Sequence, residues 1–325
     1  MQPARECRAS EDEMNPALSV IFFTTLSGAG YGLLFWAAYE ALLGQAPARP
    51  LLWSVLLALL LSTLGLLSSL LHLGKPARAW RAFSQWRTSW LSREGVMALL
   101  TAGVALALAA ALLPAMLDGN AGGSHPRLGA IGIAACVLAM ACVAATVYCT
   151  AMIYASLKPI PAWRHRLVPV VYLLFALLTG GLLLRALGAA SGARTMVLPT
   201  LLCVLLALAL ALLKWRYWRD IDRTPLPATR GDAVGLPQRQ VLVFERPHTE
   251  ANYLTREMAF VLARKHARRL RLLAVLLFGL VPVACVLAGG SAALWTAAAL
   301  SALAGAFVER WLFFAEAKHL VTLYY

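Results

Sequence analysis

The sequence predicts an all-α integral membrane protein, a bundle of about eight transmembrane helices with both termini cytoplasmic. Three observations carry this. The chain has 325 residues, a mean hydropathy of +0.71 and only 14% charged residues, which is too apolar for a soluble domain of that length. Its apolar residues gather into runs that mostly reach the ~20 residues a helix needs to cross the hydrocarbon core. Those runs are rich in Leu and Ala and lack the ~10-residue alternation of an outer-membrane barrel, so their backbones must be satisfied within helices.

Residues 1–13, "MQPARECRASEDE", are read as a polar N-terminal extension that the native start need not include, since Met14 opens "MNPALSV". The first apolar run, 16–43, is too long for a signal-peptide core and has no small-residue cleavage site after it, so it is a retained span. Runs at 51–71, 95–117, 129–154, 167–187 and 195–213 complete transmembrane helices 1–6 within 14–213. Residues 214–271 are expected to form a basic cytoplasmic loop. Its "RDIDRTPLPATRGDAVGLPQRQ" part is irregular, and its "TREMAFVLARKHARRLRLL" part is a basic helix at the interface. That region is either solvated or a dock for a soluble partner. Runs at 272–289, the shortest, and 291–314 give helices 7 and 8 within 272–325, followed by the C-terminal tail.

The connections after runs 2, 4 and 6 hold Lys75, Arg78, Arg81, Arg87 and Arg93, then Lys158, Arg164 and Arg166, then thirteen Lys or Arg between Lys214 and Arg271. The opposite connections hold only Arg49, Arg127 and Arg194. The basic side is therefore expected to face the cytoplasm. The net charge of +14 is a topology signal; dispersed over membrane-proximal loops, it does not describe a nucleic-acid-binding surface.

The six cysteines form no C-x-x-C pair or iron–sulfur run, and no histidine sits in the middle of an apolar run, so neither a cluster nor a bis-histidine haem is expected in this chain. Cys142 and Cys149, seven apart, share a helix face, which small apolar core residues explain. "SGAGYG" at 27–32 lies inside an apolar helix and lacks the strand that precedes a dinucleotide fingerprint. Gly28 and Gly32 instead make a small-x-x-x-small face, for close helix packing or for a flat ligand.

The segment "HLGKPARAWRAFSQWRTSWLSRE" interrupts the apolar chain with His72, five cations and Glu94. A hairpin of helices 2 and 3 brings His72 and Glu94 to the same membrane surface. There they either cap their helices or form a site that accepts protons as a quinol is oxidised. The Trp and Arg residues between them read as interfacial. Tyr31, Glu40, Arg185, Glu309, Arg310 and Glu316 are further polar groups in or beside apolar runs, either structural ion pairs or contacts with quinone or a partner; Lys318 and His319 in the tail face headgroups. Intramembrane charges also occur in secondary transporters, and a purely structural scaffold is a third reading.

The stretches "NPALSVIFFTTLSGAGYG", "LHLGKPARAWRAFSQWRTSWLSRE", "YASLKPIPAWRH" and "VERWLFFAEAKHLVTLYY" resemble the membrane anchor subunit of the dimethyl sulfoxide reductase family over nearly all of the chain. The resemblance implies an anchor in the bacterial cytoplasmic membrane, without haem or iron–sulfur of its own, that exchanges electrons with quinone or menaquinone in anaerobic respiration. It implies an iron–sulfur partner subunit and a molybdopterin catalytic subunit. It assigns menaquinol oxidation to His72 and Glu94. Tyr31, Arg78 and Arg81 are further candidates from the residues themselves, for a quinone pocket or a partner dock. Similar anchors serve complexes that oxidise sulfite and reduce quinone, so the direction of electron flow stays open.

Overall fold

The computed structural model describes residues 18–44, 46–71, 75–117, 125–192, 197–237, 239–242, 244, 261–320 and 323. Its helices are α1 (Leu18–Leu43), α2 (Ala48–Leu70), a 3₁₀ segment (Pro76–Gln85), α3 (Trp90–Leu117), α4 (Ala130–Ala155), α5 (Leu167–Ala190) and α6 (Val197–Arg223). They are followed by the single turn α7 (Arg230–Ala233), then α8 (Val261–Val275), a π turn (Leu276–Leu280), α9 (Val281–Leu287) and α10 (Ala292–Ala315). Among the described residues eight helical segments are long and apolar enough to cross a membrane, the seventh running from His266 to Leu287 through the π turn. The protein is a multi-pass membrane bundle.

Helices α1 and α5 form its centre: 61% of the most apolar stretch of each is buried, against 33% or less for α2, α3, α6 and the seventh span. Small residues make this possible, because apolar surface alone does not drive helices together in lipid. A side-chain carbon at Gly32 would overlap the Ala176 carbonyl, and one at Gly180 would overlap the Gly32 backbone. On another face of α1, Gly30 lies against Ala58 and Ser62 of α2. Trp36 Nε1 ties α1 to α5 by donating to the Leu177 carbonyl at 2.8 Å.

The shortness of the seventh apolar run has a structural counterpart. At the π turn the Val281 amide bonds the Leu276 carbonyl, which deprives Leu277 of its helical donor; the Ser301 hydroxyl of α10 donates to that carbonyl instead, at 2.8 Å. Pro282, with no amide hydrogen, follows directly. The wide turn places Phe278 against Gly305 of α10 and edge-on to Phe175 of α5, with ring centroids 5.1 Å apart.

The α6 helix continues past the end of its apolar run, through the first part of the 214–271 region to Arg223. Lys214 turns inward, 2% exposed, and its Nζ meets Glu309 Oε1 of α10 at 2.5 Å. A buried ammonium needs such a partner, and providing it extends α6 beyond its apolar run. Likewise Glu40 of α1 and Arg185 of α5 form a buried ion pair. The described part of the following loop includes α7, held by a capping box in which Thr229 and Asp232 bond each other's backbone. Residues 1–13 and 245–260 lie outside the described residues.

His165, in the turn between α4 and α5, accepts the Leu167 amide on Nδ1 at 3.2 Å and lies 3.4 Å from Asp220 through Nε2. Burial holds its imidazole below the ordinary value, against the opposing pull of Asp220 and with help from Arg166 and Lys214. Protonation on Nδ1 would also end the Leu167 bond. Two outcomes are expected. Gly32→Val has no room to relax against backbone and should cost about 3 kcal/mol or more, read as a lower unfolding temperature in detergent. Because folded His165 binds its proton less readily than unfolded His165, stability should hold above about pH 6.5 and fall as the pH drops below it. His165→Gln should flatten that part of a stability-against-pH profile.

Candidate functional site

Glu94 is the fifth residue of α3, past the positions that cap a helix. Its carboxyl is 3% exposed and faces α4, where the Thr150 hydroxyl meets Oε1 in a short contact. The same hydroxyl is 3.1 Å from the Thr146 carbonyl. Thr150 therefore suits either state of the acid: it donates to the carboxylate, or accepts from the carboxyl and donates to Thr146. Thr146 in turn meets Thr101 of α3 at 2.9 Å, so hydroxyls line the α3–α4 seam below Glu94. No cation pairs with Glu94 among the described residues.

Thr150 also lines a cavity bounded by α1, α4, α5 and α10. The empty space is about 370 Å³ including its open side, but it is narrow, with room at its centre for about one water molecule. Three of its buried hydroxyls, those of Thr25, Tyr31 and Tyr172, have no hydrogen-bond partner among the described residues. An unmet buried hydroxyl costs about 1–3 kcal/mol, so three around one space point to a polar occupant. Other hydroxyls of the wall are satisfied internally: Thr24 bonds Val20 at 3.0 Å, Ser27 bonds Phe23 at 2.6 Å and Thr179 bonds Phe175 at 2.7 Å. Gly28 opens onto this space, and a side-chain carbon there would touch nothing. Of the two glycines expected to share a role, Gly32 packs and Gly28 leaves room.

Arg310 of α10 supplies the cavity's cation. It is 2% exposed, with its guanidinium carbon over the Tyr172 ring at 3.5 Å from the centroid and 5.2 Å from that of Phe175. Tyr31 and Arg310 line the cavity directly, while Glu94 stands one contact behind its wall, joined to it through Thr150. Glu40 and Arg185 are elsewhere, paired with each other. Arg78 and Arg81 do not line the cavity; they are exposed on the 3₁₀ segment beside Trp80 and Trp86, with Phe83 packed on Gly95 of α3. Glu316 pairs with Arg271 at 2.9 Å. His72 lies outside the described residues. Among the described residues no group of His, Cys, Asp and Glu is placed to hold a metal ion.

Thr25, Thr150 and Tyr172 are site residues that sequence reasoning misses. A signal for the α1 wall does exist: Thr24, Gly28 and Tyr31 recur at four and three residues, a stripe of small and hydroxyl-bearing residues on one helix face. For Thr150 there is none, because a lone threonine in a membrane helix ordinarily bonds its own backbone.

The sequence matches the family model "DMSO reductase anchor subunit (DmsC)" over residues 14–315. It is also 33% identical over 329 aligned residues to the C subunit of the sulfite dehydrogenase of Allochromatium vinosum, covering 96% of this chain and 99% of that protein. With both spanning nearly the whole bundle, including every helix that bounds the cavity, the chain belongs to the DMSO reductase anchor subunit (DmsC) family.

Proposed function

We propose that this chain is the quinone-reactive anchor of a molybdopterin and iron–sulfur oxidoreductase, exchanging electrons between the membrane quinone pool and an iron–sulfur partner subunit. The observation that carries this is the cavity with three unmet hydroxyls beside a buried carboxyl. A quinone ring bears two oxygens on opposite sides, each accepting hydrogen bonds, and as a quinol each must lose a proton. Tyr31 and Tyr172 donate to ring oxygens. Thr25 accepts from a ring hydroxyl or donates to a ring carbonyl. Glu94 takes a proton, and Thr150 turns its hydroxyl to suit the acid form. The cavity must widen for a ring to enter, and on this reading the side chains of Phe175 and Tyr172 in its wall shift to admit it.

His72 acts as a second proton acceptor in this proposal, on the strength of its place in the sequence immediately after α2 and of the family resemblance. The basic side of the bundle, with exposed Arg78, Arg81, Arg87, Trp80 and Trp86, faces the cytoplasm and receives the soluble subunits. Its charge suits a partner with acidic patches. The membrane is the bacterial cytoplasmic one, and the quinone is of the menaquinone type.

Oxidation of one quinol releases two protons and two electrons, and the site is reversible, so the partner's potential sets the direction. The likeness to a sulfite dehydrogenase subunit over almost the full length of both chains favours a second version of the role. In it, electrons from sulfite oxidation enter the iron–sulfur subunit, and the same residues deliver protons to a quinone.

Affinity purification of the tagged chain from native membranes in mild detergent should bring down two soluble subunits with stoichiometric molybdenum and iron; a solitary, metal-free chain would favour a transporter. In that complex, Glu94→Gln and His72→Ala should each lower quinone-linked turnover by about 10²-fold or more with co-purification unchanged. Tyr31→Phe should raise KM for the quinone substrate about tenfold, as expected for one lost hydrogen bond to a desolvated group. Ordinary turnover in both acid-site variants would overturn the assignment.

A further inference from the structure

The charge at the far wall of the cavity is not isolated. Arg310 Nη1 lies 3.1 Å from Glu309 Oε2, yet makes no hydrogen bond among the described residues. Glu309, fully buried, pairs through its other oxygen with Lys214 at 2.5 Å. Lys214 stands over the rings of Tyr217 and Trp218, at 4.0 and 4.7 Å, and interacts electrostatically with Glu316. Glu316 is held by Arg271 at 2.9 Å, and Arg271 reaches Asp222 at 2.6 Å, more than half exposed at the end of α6. The signs alternate along this line: plus at the cavity, then minus, plus, minus, plus, and minus at the surface.

Such a line has two conceivable uses. A proton route is excluded by its composition, since two of its members are guanidiniums that do not give up a proton in proteins. Arg271 separates Glu316 from Asp222, and Arg310 stands between Glu309 and the cavity. What the line does instead is fix a positive charge at its inner end and compensate the remaining buried charges in pairs. Compensation matters because an unpaired charge in hydrocarbon is costly. The inner end of the line is the guanidinium of Arg310, whose Nη1 lies against Glu309 without a hydrogen bond among the described residues and which lines the space that Thr25, Tyr31 and Tyr172 also line.

We propose that Arg310 is a binding residue for the anionic form of the ring, and that Glu309 and Lys214 are positioning residues that hold it charged and aimed at the cavity. This rests on the reading of the cavity as a quinone site. In chemical terms, one ring O–H bond breaks, its proton passes to the Glu94 carboxylate, and the electron pair stays on the ring oxygen. Negative charge thereby moves from Glu94, behind Thr150, to a ring oxygen beside Arg310. The net charge of the site is unchanged, so the step does not create an unpaired charge inside the membrane. The anionic ring is the form that gives up electrons readily to an iron–sulfur acceptor.

A charge-matched pair of probes tests this. 2-Hydroxy-1,4-naphthoquinone is an anion at neutral pH, and 2-methyl-1,4-naphthoquinone is a neutral ring of nearly the same size. Dissociation constants of both are measured for the purified complex containing the full chain, by displacement or calorimetry. The wild-type complex should prefer the anion by at least about tenfold, the scale of one charge-assisted bond in a desolvated site. Arg310→Gln should bring the two affinities within about twofold of each other, while Arg310→Lys keeps part of the preference. Tyr172→Phe should weaken both probes alike. A wild-type complex without anion preference, or an Arg310→Gln variant that retains it, overturns the proposal while the quinone site stands. If the variant does not assemble, the wild-type comparison decides alone. Failure of both probes to bind the wild-type complex would instead overturn the quinone-site reading, and this inference with it.

Discussion

The contact between the backbones of α1 and α5 is the constraint on which the rest of the bundle depends. Gly32 meets Ala176, and Gly180 meets Gly32, with no side chain between them. Close approach of this kind yields van der Waals contact that two leucine-faced helices in lipid do not obtain. It also sets the geometry one turn away. Gly28 lies four residues before Gly32, and Tyr172 four before Ala176, so both are one turn from the contact, where a side-chain carbon on Gly28 would meet nothing. The cavity lies beside this contact, lined by Gly28, Tyr31, Tyr172 and Phe175.

The outer helices finish the walls. The α4 helix brings Thr150 and, through it, the carboxyl of Glu94; α10 brings Arg310. The π turn of the seventh span contributes at one remove: it sets Phe278 edge-on to Phe175, and Ser301 recovers the carbonyl that the wide turn leaves open. The π turn is thereby linked to the wall of a buried space. Polar groups follow one rule throughout. Glu40 with Arg185, Lys214 with Glu309, and Glu316 with Arg271 are each paired within the bundle, as burial in a low-dielectric core demands. Glu94 has no cation partner among the described residues, and Arg310 Nη1 makes no hydrogen bond among them, which is why the chemistry is assigned to these two.

Much of the fold is legible from hydropathy alone. The apolar runs 16–43, 129–154 and 291–314 fall within two residues of α1, α4 and α10, because a membrane span must be apolar along nearly its whole length. Legibility fails where helix and apolar run have different lengths. The α6 helix continues nine residues past Lys214, since inward-facing Lys214 and Tyr217 extend the core beyond what hydropathy registers. Glu94 stands out in the sequence as an ionisable group at the edge of an apolar run, but whether it caps a helix or faces inward depends on where α3 begins. It begins at Trp90, and that shift of a single turn puts the carboxyl inside the bundle.

The sequence by itself determined that this chain crosses the membrane in about eight helices, which side is basic, and that its charges are too few to be incidental. Those properties are local, fixed by composition over some twenty residues at a time. The tertiary structure alone decided which charges pair and which face open space. Arg185 and Arg310 are alike in sequence, each an arginine near the end of an apolar run. One is met by Glu40 on a neighbouring helix, while the other pairs with Glu309 beside it in the chain and lines the cavity under the ring of Tyr172. That difference arises from contacts between residues more than a hundred positions apart, set by the approach of backbones at glycine and alanine.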